Sequence, residues 1–223
     1  MIGFAVDEFG RLDCIFNNAG LGGAIGPLTQ IKVEDWDRTF AVLVRGVFLG
    51  TKHAAQSIIS HQKGGTIIDT ASIAGLSAGA GGLAYSSCKA AVINFTRSAA
   101  VELAVEHIRV NAICPGLILT PLVHRGHETE AEILFQKAQP WPEAGRSEHI
   151  ADVAVFLASD KSRFITGESI VVDGGLTPLG PGFYAGNNPA GNFVITRILD
   201  TIGLTNATVP VGYDPGNIDD GGG

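Results

Sequence analysis

The chain has 223 residues, 45% of them hydrophobic, enough to bury one substantial core without requiring a second. Fifteen Lys and Arg against twenty-two Asp and Glu give a formal net charge of −7. The basic residues are scattered rather than blocked, which excludes nucleic acid and an anionic membrane as the expected main partner and favours a small molecule. No segment approaches the roughly 18 consecutive apolar residues of a membrane span, and the N-terminus carries no basic, then apolar, leader pattern. Cys14, Cys88 and Cys114 sit in apolar or small-residue segments with no CxxC pair. They read as buried reduced thiols, and so predict a cytoplasmic location.

Residues 1–10 have the pattern of the last turns of an amphipathic helix stopped by Gly10. Leu12 to Phe16 is a short apolar run closed by Asn17-Asn18-Ala19-Gly20, as expected of a buried parallel strand opening into a loop. From Val33 to His61, Trp36, Phe40, Val44, Val47, Ala54 and Ile58 recur at helical spacing, which predicts one long helix capped within residues 29–34. Gly64-Gly65 breaks it, and residues 66–71 form the next β-rich run. A small-residue loop at 74–82, a helix over 83–106 and a strand over 107–113 stopped by Pro115-Gly116 make a third cycle. The loop-like residues 121–146, with a helix near 130–138, have the character of a lid. A helix over 150–158 and a strand over 169–172 ended by Asp173-Gly174-Gly175 complete the pattern. Apolar strands alternating with helices predict an α/β fold with a doubly wound parallel sheet. Residues 1–177 are expected to form this domain. Residues 178–223, rich in Gly, Asn, Pro and Asp, read as a C-terminal extension with one amphipathic island at 193–204.

The strongest chemical signal is Tyr85-Ser86-Ser87-Cys88-Lys89. On a helix, side chains at i and i+4 share a face about 6 Å apart, so an ammonium at Lys89 can hold the Tyr85 phenol ready to ionise. Ser72 closes the preceding strand at the carboxyl edge, where parallel α/β sheets place their ligands, and its hydroxyl can donate to a substrate oxygen. Other features read more plainly. His124 and His127 have no third ligand at suitable spacing and belong to a solvated loop, so no metal site is expected. Cys88 is a packed small residue. Asp69, charged within a buried run, is either hydrogen-bonded to a neighbouring backbone or a support for the site from behind.

In order and spacing, Asn17-Asn18-Ala19-Gly20, Ser72, Tyr85-x-x-x-Lys89, Asn111, Pro115-Gly116-x-x-x-Thr120 and Val172-Asp173-Gly174-Gly175 resemble the short-chain dehydrogenase/reductase family over residues 1–177. The resemblance implies a Rossmann-type oxidoreductase using NAD or NADP on an alcohol or ketone. By it, Tyr85 is the general acid/base and Ser72 polarises the carbonyl, while Lys89 depresses the Tyr pKa and grips the nicotinamide ribose. Asn18, Ala19 and Gly20 line the adenosine side; Pro115 and Gly116 turn the chain off its strand, and Ile118 and Thr120 meet the carboxamide. It also implies a homodimer or homotetramer built on helices 36–62 and 83–106.

Two departures stand against it. The family's glycine-rich phosphate turn has no counterpart, so the sheet is expected to lack its first strands. Residues 22–26 do not replace that turn, because they lead to Pro27 rather than into a helix. Leu43 stands where the family has an Asn that serves a proton path to the Lys. A non-catalytic subunit or interaction protein without dinucleotide binding is therefore the alternative reading. Neither the substrate nor the choice between NAD and NADP is encoded in these residues.

Overall fold

The computed structural model describes residues 1–179. In chain order they form α1 (Ile2–Phe9), β1 (Cys14–Asn17), α2 (Val33–Phe40), α3 (Gly46–His61), β2 (Gly65–Thr70), α4 (Leu83–Leu103) and β3 (Ile108–Pro115). After these come α5 (Pro121–His124), α6 (Glu128–Ala138), α7 (Ser147–Ala158) and β4 (Ser169–Val172). The proposed extension, with its island at 193–204, lies outside the described residues.

The four strands are parallel and ordered β1-β2-β3-β4, so each returns to the sheet beside the strand before it. Asn17 pairs with Asp69, Asp69 with Ala112, and Ala112 with Ser169. This register brings the loops after all four strands to one end of the sheet. Among the described residues no strand pairs with the outer side of β1.

Neighbouring residues of one strand serve opposite faces, which is why the strands are apolar throughout. Ile67 packs with Ile15, Ala54, Ile58 and Ala100 on the side of α3 and α4. The next residue, Ile68, packs with Ile113, Ile150, Ala154 and Leu157 on the side of α7. The sheet is thus covered by helices on both faces, the doubly wound α/β arrangement read from the sequence. No helix among the described residues is long and apolar enough to cross a membrane.

The expected helix over 33–61 is continuous but not purely α. Between α2 and α3 lies a π turn, Ala41–Arg45, and its extra residue rotates the following face by about 100°. An inserted residue leaves the composition amphipathic, so helical periodicity does not reveal it. The cap is also different. Leu28–Gln30 forms a separate 3₁₀ turn, and Lys32 occupies the N-cap with no side-chain hydrogen bond. Thr39 ties this region together instead. Its buried hydroxyl donates to the Asp35 carbonyl at 2.7 Å and accepts from the Ala24 N–H at 3.0 Å, fastening the loop after β1 to α2. Helix α4 stops at Leu103, and residues 104–106 continue as a 3₁₀ turn.

Candidate active site

β2 ends at Thr70, and Ser72 begins a tight turn by accepting the Ala74 N–H at 3.1 Å. That turn lies directly on α4. A Cβ at Gly75 would stand 2.6 Å from the Lys89 carbonyl carbon, so only glycine allows the approach. Ser72 is thereby brought to the helical face that carries Tyr85 and Lys89. The Lys89 ammonium sits 5.5 Å from the Tyr85 ring centroid and donates to the Thr70 carbonyl at 2.6 Å.

Both titratable groups are displaced toward their neutral forms. Burial pushes Lys89 down to about 8, partly opposed by Cys88, Cys114 and Asp69. Burial pushes the Tyr85 phenol up, and the neighbouring Ser72 hydroxyl pulls it down. The net effect on the phenol is the raising by burial, with Ser72 pulling the other way. The ammonium is desolvated and committed to the Thr70 carbonyl.

These groups face a cavity of about 470 Å³. Of the residues singled out in the sequence, Asn18, Gly20, Ser72, Tyr85, Lys89, Pro115, Gly116, Ile118 and Thr120 all line it. Ala19 does not. It borders a separate cavity with Val42, Leu49 and His53, and Asn18 touches both, so Ala19 lies on the far side of that loop. At Gly116 the chain passes so close to β4 that a Cβ would stand 2.5 Å from that of Asp173. Asp173 is in turn occupied by the N–H groups of Gly175 and Thr177 at 2.9 and 2.6 Å. Asn111 likewise serves the fold: it donates to the Ile165 carbonyl and accepts from the Glu168 N–H, joining β3 to the loop before β4.

Two contributions were missed in the sequence. Thr70 links both sides of the site, with its hydroxyl donating to the Asn18 side chain at 2.8 Å and its carbonyl accepting from Lys89. A β-branched residue at a strand end carries no local mark of that role. The other is an apolar wall of Leu122 and Val123 from α5 with Ile150 and Ala151 from α7. Pro121 in the first turn of α5 was its available signal.

Asp69 takes neither backbone nor cavity. Wholly buried, it accepts from Asn17 and Thr96 at 2.8 Å each, and Asn17 also donates to Thr51 at 3.2 Å. Burial raises its pKa to about 6, against the hydrogen bonds from Asn17 and Thr96 and the charge of Lys89. Burial likewise pushes the Cys88 thiol up to about 11, away from the reactive thiolate. His124 accepts the Gly126 N–H, and the described residues include no cluster of three or more His, Cys, Asp or Glu able to hold a metal.

Residues 1–177 match the sequence family described as Enoyl-(Acyl carrier protein) reductase. A solved short-chain type dehydrogenase/reductase from Mycobacterium ulcerans superposes with a TM-score of 0.72 at 36% identity, covering 79% of this chain and 64% of that one. The chain belongs to the short-chain dehydrogenase/reductase family. Another member, 3beta-hydroxysteroid dehydrogenase 2 of Eggerthella lenta, is 38% identical over 178 residues, which are 78% of this chain and 68% of the relative. The structure of ElxO with NADP bound matches with a TM-score of 0.73 at 33% identity, over 79% of this chain and 72% of that one. This chain therefore spans about two thirds of the length of these family members.

Proposed function

We propose that this protein moves hydride between NAD or NADP and a secondary alcohol or ketone, with Tyr85 as general acid/base. The carrying observation is convergence: Ser72 from the end of β2 and Tyr85 and Lys89 from α4 meet at the wall of one cavity at the carboxyl end of the sheet. Family membership and an NADP-bound relative support the chemistry.

The cavity fits the nicotinamide half of a dinucleotide. Gly20 and Gly116 leave backbone open to a flat ring, and Lys89 can add ribose hydroxyls to its bond with Thr70. Asn18 and Gly20 take the adenosine side, with Pro115, Ile118 and Thr120 nearer the carboxamide. The glycine-rich stretch after β1 does not lead into a helix that could receive the pyrophosphate. Gly26 runs into Pro27 and a 3₁₀ turn. The bound dinucleotide supplies the hydride or accepts it. In reduction, the Tyr85 phenol donates its proton to the substrate oxygen while the Ser72 hydroxyl donates a hydrogen bond to the same atom. In oxidation the proton returns to Tyr85. The raised phenol pKa keeps the acid form in place at neutral pH, the form reduction needs. Leu122, Val123 and Ile150 give the substrate an apolar wall, consistent with a hydrophobic alcohol or ketone.

Exposed apolar side chains on α3 and α4, including Phe48 (44% exposed), Leu49 (42%) and Val101 (80%), support assembly as a homodimer or homotetramer. Light scattering at micromolar concentration tests this; a monomer refutes it. One observation favours the non-catalytic alternative. Leu43 is fully buried against Gly20, putting hydrocarbon where the family's proton path has an amide. Absorbance at 340 nm with either cofactor and a panel of hydrophobic secondary alcohols distinguishes the readings. Turnover lost in Tyr85→Phe supports the oxidoreductase, whereas a folded protein that neither turns over nor binds NADH or NADPH supports the alternative.

A further inference from the structure

The amino ends of β2 and β3, opposite the Tyr85 cavity, open into a second cavity of about 540 Å³. Its polar lining includes Lys63, Arg109, Arg163 and His107 facing Asp13 and Asp160. Asp13 is already held by Arg11 at 2.9 Å. Asp160 therefore stands alone against three permanent cations, none of which forms an ion pair among the described residues. In a chain of net charge −7 this is a local reversal of sign, and concave walls of low dielectric concentrate it.

Arg109 is fixed in place. One amino nitrogen, Nη2, donates to the carbonyls of Leu157 and Ser159 at 2.8 and 3.3 Å, while the other, Nη1, is buried with no hydrogen-bond partner. A guanidinium held in this way is organised before any ligand arrives, and sets a fixed positive charge at the cavity wall. Lys63 and Arg163 are exposed and free to close on the same guest. We infer that this cavity binds a compact, multiply charged oxyanion of the phosphate or sulfate class, held by Arg109, Arg163 and Lys63 with His107 as a further donor. The excess of positive lining over the single unpaired carboxylate favours a dianion over chloride.

The test compares thermal melting of the whole chain in inorganic phosphate and in chloride at matched ionic strength, for the native protein and for Lys63→Ala combined with Arg163→Ala. Phosphate is expected to raise the native Tm saturably, with apparent affinity weakened about tenfold or more in the double variant. The His107 ring resonance, followed by NMR, should titrate with the same midpoint in the native protein and in Tyr85→Phe. That places binding away from the Tyr85 cavity and does not depend on the double variant. Equal responses to phosphate and chloride, an undiminished response in the double variant or a His107 signal indifferent to phosphate would each overturn the assignment.

Discussion

Two groups of buried polar residues grow from the same strand, and they differ in what each leaves open. Asp69 points into a closed set: both of its oxygens are taken by Asn17 and Thr96, and Asn17 is further tied to Thr51. Ser72, two residues beyond the end of β2, stands with Tyr85 and Lys89 at the wall of a cavity. Burial shifts all the titratable members toward their neutral forms, so a displaced pKa alone does not separate the groups. Access separates them. A carboxylate whose partners are all protein atoms stabilises an arrangement, whereas a phenol with open space beside it can act on a guest.

The largest expected effect breaks the open group. Tyr85→Phe removes the proton donor while keeping the ring, so kcat is expected to fall by about 10²–10⁴ with dissociation constants for NADH or NADPH nearly unchanged. A loss of only a few-fold removes Tyr85 from the role. Next comes Ser72→Ala, for which steady-state kinetics should show a loss of about 10² in kcat. The same variant sharpens the electrostatic argument. Reduction should decline, and oxidation rise, as pH increases toward the raised Tyr85 pKa. Since Ser72 is the group that lowers that pKa, its removal should move both limbs to higher pH.

The closed group should respond in stability rather than rate. Asp69 rises from 3.8 to about 6 on folding. A carboxyl shifted in this direction contributes stability that is complete below the unfolded value and disappears as pH rises through the folded one. Relative to Asp69→Asn, the native chain should therefore gain on the order of 2–3 kcal/mol between about pH 7 and pH 4, read from denaturant melts. A flat difference across that window contradicts the burial argument. The smallest effect is expected at Cys88, which lies between Tyr85 and Lys89 in sequence but has no exposed surface. Cys88→Ala should leave kcat within about twofold and cost roughly 1 kcal/mol in thermal stability.

The elements and the grouping of Ser72, Tyr85 and Lys89 were legible because their causes are local. Apolar runs closed by Asn17-Asn18, Pro115-Gly116 and Asp173-Gly174 mark parallel strands and their ends, and spacing by four places Tyr85 and Lys89 on one helical face. Those patterns survive without knowledge of the neighbours, so the sequence by itself determined the α/β alternation, the carboxyl-end location of the site and most of its lining. Tertiary structure decided the rest. The position of Ala19 behind its loop, the double duty of Thr70 and the partners of Asp69 all depend on segments far apart in the chain. Desolvation and hydrogen bonding are set by whichever atoms finally surround a group, and for Tyr85, Lys89 and Asp69 those atoms are gathered by folding from several remote stretches of chain.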